Sequence, residues 1–241
     1  MALVAVLAAA LTAGGCSRGE RFRQFEYEEE MFLALDGSAT VYVSTSVAAL
    51  DALRGASFST TPSALIDRDA VRTWFTTPVT RVIGTPSLSR RSGRRFVHVR
   101  VDVDDVAKLT QAAPFAWSTY RLTHESEMYA YKQSVGDSAH KDVGDVGWDG
   151  QEGVSFRMHL PSTVVYHNAG PKNLERGNVI VWEQALTDRL HGEPLVLDVR
   201  MESQTILSRT LLLFGATLAA VAAMFAVVLW WILRRGGKPA L

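Results

Sequence analysis

The sequence holds a single cysteine, Cys16, so it can form no intrachain disulfide and offers no paired-cysteine metal motif. It also lacks a surplus of charge, with 25 basic residues against 25 acidic ones. That balance excludes the electrostatic footprint of a nucleic-acid-binding protein. The compact catalytic signatures are missing too: there is no GxSxG, P-loop, GxGxxG or HExxH. The six histidines (His98, His124, His140, His159, His167 and His191) fall at no metal-ligand spacing. No cofactor, no metal and no catalytic residue is therefore expected. A hydrolase or transferase remains open only if its acids or histidines converge in space.

What is abundant is apolar length at the two ends. Residues Thr210 to Leu233 read TLLLFGATLAAVAAMFAVVLWWIL, without a charge. As a helix this stretch is about 36 Å long, enough to cross a hydrocarbon core with some tilt. Arg209 precedes it, Arg234, Arg235 and Lys238 follow it, and Trp230 and Trp231 fall where an interfacial aromatic belt would lie. The positive-inside bias keeps the tail, 234–241, cytoplasmic and places the body of the chain outside. With those four cations set aside, the rest carries 21 basic residues against 25 acidic, a net charge of −4. Gly215, Ala219 and Ala223 recur every four positions, a small-residue face that permits close helix packing, although an alanine-rich span produces such a face by itself.

The other apolar stretch, Ala2 to Ala13, is too short to span and ends in Ala13-Gly14-Gly15-Cys16. A lone cysteine directly after a short apolar run and small residues resembles a bacterial lipoprotein signal. In that family the cysteine becomes the lipidated mature N-terminus. A signal cleaved without lipid and an apolar segment left in place are the alternatives. The layout is then a signal over 1–16, a linker over 17–24, an extracytoplasmic domain over 25–208, a transmembrane helix over 209–233 and the tail. A lipid on Cys16 together with the span would tether the domain twice to one plasma membrane.

Within the domain, alternation dominates. Phe25, Tyr27, Met31, Leu33 and Leu35 share one face of a strand, while Glu26, Glu28 and Glu30 form a solvated face. Asp36-Gly37 is a hairpin turn, and Ser46 caps a helix that ends before Gly55. A short helix starts at Asp67 and packs Val71, Trp74 and Phe75. The pattern then recurs: a strand over Thr80–Leu88, a turn at Ser92-Gly93, alternating Val97, Val99, Val101 and Val103, and a helix capped by Asp104. A shift of 56 residues superposes 25–55 on 81–111 and suggests an internal repeat. Two strands within Phe115–Lys132, three over Val154–Leu160, Asn178–Trp182 and Leu195–Met201, and a short helix or loop over Glu183–Leu190 complete the chain. The expected fold is α+β: a mostly antiparallel, meandering sheet with a few short helices, plus the C-terminal transmembrane helix.

Two exposed features are candidate contacts. Arg90, Arg91, Arg94 and Arg95 flank the Ser92-Gly93 turn, so four arginines gather at one hairpin tip that could touch anionic headgroups or a partner. The ordinary alternative is a solvated turn that keeps a sheet edge soluble. The loop Asp137–Glu152 carries four aspartates and a glutamate among glycines, without the order of an EF-hand. It reads as a solvated loop or as a metal or partner contact.

Leu160-Pro161-Ser162, Val164, His167-Asn168 and Gly177-Asn178-Val179-Ile180-Val181-Trp182 resemble the carboxyl half of the LppM-type lipoproteins of actinobacteria, which pair a lipobox cysteine with an ectodomain and a C-terminal span. That resemblance implies an envelope protein that handles lipids or glycolipids and transfers no catalytic residues. The expected function is a non-catalytic, outward-facing envelope lipoprotein domain that binds a lipid, a glycolipid or an envelope partner. The alternatives are an envelope hydrolase or transferase, and an accessory subunit of a membrane complex.

Overall fold

In a computed structural model the described residues are 24–175 and 177–235. The signal with Cys16, most of the linker, Arg176 and the tail from residue 236 lie outside them.

The chain is α+β, as expected, but its strands form two sheets. Strand β1 (Phe25–Leu33) turns through Asp36 and Gly37 into β2 (Ala39–Ser46), and helix α1 (Val47–Arg54) follows. After a loop come α2 (Arg68–Phe75), β3 (Thr80–Arg91) and β4 (Arg94–Val103). Two 3-10 turns, Val106–Gln111 and Ala113–Phe115, lead to β5 (Ser118–Glu125) and β6 (Met128–Val135). Beyond the long 136–152 connection lie β7 (Gly153–His159), β8 (Ser162–His167), the two-residue β9 (Leu174–Glu175), β10 (Val179–Ala185), α3 (Leu186–Leu190), β11 (Leu195–Thr205) and α4 (Ile206–Arg235).

One sheet has the order β3-β4-β2-β1-β7-β10-β9 and the other β5-β6-β11-β8. All pairings are antiparallel except β1 with β7. Alternation tells which face of a strand is covered but not which strand lies beside it. The 136–152 connection carries the chain away from β6 and lets β7 join β1 in parallel, a pairing that no tight hairpin can make. The sheets share one core, in which the Tyr131 hydroxyl of β6 reaches Met31 Sδ of β1 at 3.6 Å.

Local signals place the helices. Ser46 Oγ accepts the Ala49 amide at 3.1 Å, and Gly55, at φ +73°, ends α1 in the left-handed region that favours glycine. Asp67 caps α2 through the Asp69 amide. The Asp104 cap is corrected to Asp105, whose Oδ1 accepts the Ala107 amide at 2.9 Å, and the element is 3-10. Val106 and Leu109, three apart, match the three-residue turn.

The acidic face of β1 is corrected at one position. Glu28 and Glu30 are partly exposed, but Glu26 is buried. Phe25 pairs with Gly153 and Tyr27 with Val154, so Glu26 is the extra residue of a β-bulge and turns inward.

The registers give the domain two distinct ends. Helix α4 continues directly from Thr205, which pairs with Ser162, and only Leu160 and Pro161 separate Ser162 from the end of β7. His159, Phe32, Ala39 and Val103 therefore mark the helix end of the larger sheet. Gly153, Phe25, Ser46, Phe96 and the Arg91–Arg94 pair mark the far end. The nine steps of β4 from Val103 to Arg94 cover about 30 Å at the usual strand rise.

Candidate functional site

Two arginine centres hold most of the domain's buried charge. The first lies in the core. Glu29 sits on the apolar face of β1, and Arg54, the last residue of α1, donates through Nη2 to Glu29 Oε2 at 2.7 Å. Tyr27 Oη donates to the same oxygen at 2.7 Å, Gln133 Nε2 donates to Oε1 at 3.4 Å, and Tyr131 Oη donates to Gln133 Oε1 at 2.9 Å. Arg54 also donates to the Pro114 carbonyl, and its guanidinium lies 4.1 Å from the Trp117 ring centre and 4.5 Å from that of Tyr27. Burial pushes the Glu29 carboxyl up to about 8 and the Arg54 guanidinium down to about 9, because each ion is disfavoured away from water. Sequence reasoning missed this pair. Its signal was a glutamate at an inward position between Tyr27 and Met31.

The second centre is at the far end, where the arginine hairpin meets the 136–152 connection. The four arginines do not share one exposure. Arg90 and Arg91 are exposed, Arg94 is half-buried and Arg95 is buried. Arg94 bonds the bulged Glu26 at 3.0 Å, approaches Glu152 at 3.5 Å and donates to the Gly147 carbonyl at 2.6 Å, so it straps the long connection to β1. Arg95 donates to the carbonyls of Ser59 and Ala64. Burial, and then the nearby Arg90 charge, lower its pKa. Arg91 meets Glu28 at 3.4 Å and lies over the Phe96 ring. These arginines stand at the end opposite the one from which α4 leaves.

Three of the four aspartates of the long connection build its turns. Asp142 Oδ1 accepts the Gly144 amide, Asp145 Oδ1 that of Gly147, and Asp149 Oδ1 that of Gln151, each two residues on. This explains their spacing without a cation. Among the described residues no group of three or more histidines, cysteines or acids is placed to hold a metal.

Between these parts lies a groove of about 610 Å³. The start of α1 (Ser46, Val47, Ala48), the loop Thr60–Pro62, the hairpin tip Ser92–Arg95 and the connection Val143–Gly147 form its walls. Sequence reasoning named the hairpin and the loop separately, and the fold brings them together.

Helix α4 is bare. Its segment Thr210–Arg234 has a mean hydropathy of 2.5, and none of it is buried against the domain. Gly215, Ala219 and Ala223 are all exposed on it. Cys16 lies outside the described residues.

Among the described residues, fold and site thus define an α+β domain with a groove at one end and, at the other, one apolar helix long enough to cross a membrane. No family model matches the chain, and no curated protein matches its sequence. Among solved structures, the NMR structure of the folded domain of LppM from Mycobacterium tuberculosis aligns with 79% of this chain and 98% of its own, at 11% identity and a TM-score of 0.40. That is a weak likeness at the level of fold alone.

Proposed function

We propose that this protein is a bacterial envelope lipoprotein, anchored in the plasma membrane, whose domain faces outward and binds a lipid, a glycolipid or an envelope protein without chemistry of its own. The observation that carries the reading is the bare helix. A stretch of this length and hydropathy with no side chain buried against its own domain has no stable place in water, and a bilayer supplies the missing cover. The cations after it, Arg234 among them, favour a cytoplasmic tail and an outward domain.

Binding is favoured over catalysis by where the titratable groups are spent. The carboxyl with the largest upward shift, Glu29, is enclosed by Arg54, Tyr27 and Gln133. At the groove, Glu26 and Glu152 are committed to Arg94. A general acid or base needs a displaced pKa and access to substrate together, and at Glu29 the displaced pKa comes with full enclosure.

The test is native mass spectrometry of the full chain extracted from a bacterial envelope in mild detergent. A discrete adduct of lipid or glycolipid mass is expected. A bare mass in every detergent tried would remove the lipid-binding reading and direct the search to an envelope protein by crosslinking in cells.

A further inference from the structure

The far groove keeps a positive charge that its own acids do not neutralise. Arg94 is answered by both Glu26 and Glu152. Arg95 is only 6% exposed, yet it reaches nothing but the carbonyls of Ser59 and Ala64, and no carboxylate among the described residues pairs with it. The charge beside it is another cation, Arg90, which bonds the Pro62 carbonyl at 3.0 Å. Carbonyl dipoles offset only part of the cost of taking a guanidinium out of water.

The remaining walls add to this potential. Val47 and Ala48 open α1, whose first turn contains no acid, so beyond the Ser46 Oγ cap on the Ala49 amide no carboxylate of that turn offsets the positive end of the helix where it borders the groove. Thr60 and Thr61 contribute hydroxyls on the facing wall. Asp145 is the acid on the lining, and it is exposed, with Oδ1 folded back onto the Gly147 amide at 3.0 Å. A volume of about 610 Å³ is that of a site for a small organic molecule rather than for a bare ion.

We propose that this groove binds a phosphate-bearing small molecule, with Arg95, Arg90 and the start of α1 as its counter-charge, and that the ligand arrives from outside rather than from the bilayer that holds α4. The second half follows from the registers. The groove and the exit of α4 occupy opposite ends of strands about 30 Å long, so an upright domain holds the groove well above the headgroups. The inference deepens the reading of the domain as a binding module and rests on it. It does not depend on any lipid adduct, so either result can fail while the other stands.

The experiment is calorimetric titration of the full chain in phosphatidylcholine nanodiscs with glucose 6-phosphate, and with glucose as the neutral control. Saturable binding of the phosphate ester alone is expected, and equal heats for the two sugars would overturn the proposal. Thr61→Asp places a negative charge on an exposed wall residue and should weaken binding by about tenfold with unchanged thermal melting. Binding as tight as the parent would overturn the site assignment. Arg95→Met should abolish binding wherever its circular dichroism matches the parent, and Thr61→Asp keeps the test decisive if that variant does not fold. The source is read by repeating the titration in nanodiscs containing phosphatidylglycerol. An unchanged titration supports a ligand from outside. Loss of the sugar-phosphate signal would mean that headgroups fill the groove, and the outward placement would fall.

Discussion

Arg54 and Arg95 are both buried and both bonded to backbone carbonyls, yet they do opposite things with their charge. Arg54 has a carboxyl group at 2.7 Å and aromatic rings against its guanidinium. Arg95 has carbonyls only, a cation as neighbour and a groove at its side. Burial alone therefore does not distinguish a structural charge from a functional one. Compensation does: a charge balanced inside the protein is complete, whereas one left over beside an opening can attract a ligand.

The largest effect tests the complete centre. Arg54→Met should destabilise the domain by about 3–5 kcal/mol, because Glu29 is left buried without its partner. Glu29→Leu combined with Arg54→Met should recover most of that loss, since two apolar side chains replace two ions. Thermal melting of the full chain in detergent, followed by circular dichroism, measures both, and a double variant as unstable as the single one would mean that the ion pair is net stabilising.

The same single variant carries a pH dependence. Burial raises Glu29 from 4.5 to about 8, and without Arg54 its proton is held at least as firmly. Between those values the folded form binds a proton that the unfolded chain has released, so the stability of Arg54→Met should fall as pH rises from about 5 to 8. The double variant, which has no carboxyl there, should lack that slope. A flat profile for the single variant would show that water reaches the orphaned acid.

A smaller and more local effect belongs to the strap. Glu152 accepts the amides of Asp149 and Gly150 at 3.0 Å each and faces Arg94, so it gathers the end of the long connection around one carboxylate. Glu152→Gln keeps the shape and removes the charge, and should cost about 1–3 kcal/mol. Hydrogen exchange should quicken over residues 143–150 while the β1, β2 and β4 amides stay protected. Uniform loss of protection would mean that the far end and the core unfold as one unit, and the contrast between the two centres would be weaker than the geometry suggests.

The sequence was most legible where a rule acts over a few residues. Ser46 and Gly55 bounded α1, and alternating valines marked β4, because caps and pleats are local. The separation into two sheets was not legible, since the parallel partner of β1 lies more than a hundred residues away and no local pattern specifies it. Strand β8 went unassigned because it is short, edge-like and preceded by Pro161. At the site, the arginine hairpin and the aspartate-rich loop were both visible, but their meeting was not, and Arg95 could not be told from Arg91 by spacing. The inward glutamates had two different causes. Glu29 obeyed the alternation, so its partner Arg54 was the missing piece, whereas Glu26 broke it through a bulge that only strand pairing reveals.

Arg91 is the smallest and most pointed test, because it lies on the same hairpin as Arg95. Its pair with Glu28 spans 3.4 Å between side chains that are 45% and 38% exposed, and water screens such a contact to about 0–1 kcal/mol. Its position over the buried Phe96 ring adds packing rather than charge. Arg91→Ala should therefore leave the melting temperature nearly unchanged and shift the sugar-phosphate titration by no more than about twofold, since its charge is solvated and off the groove lining. Melting and titration of Arg91→Ala beside Arg95→Met check this directly. A loss of binding as large as that expected for Arg95→Met would mean that the hairpin acts through its summed positive charge, and that the uncompensated burial of one arginine is not what makes the groove a site.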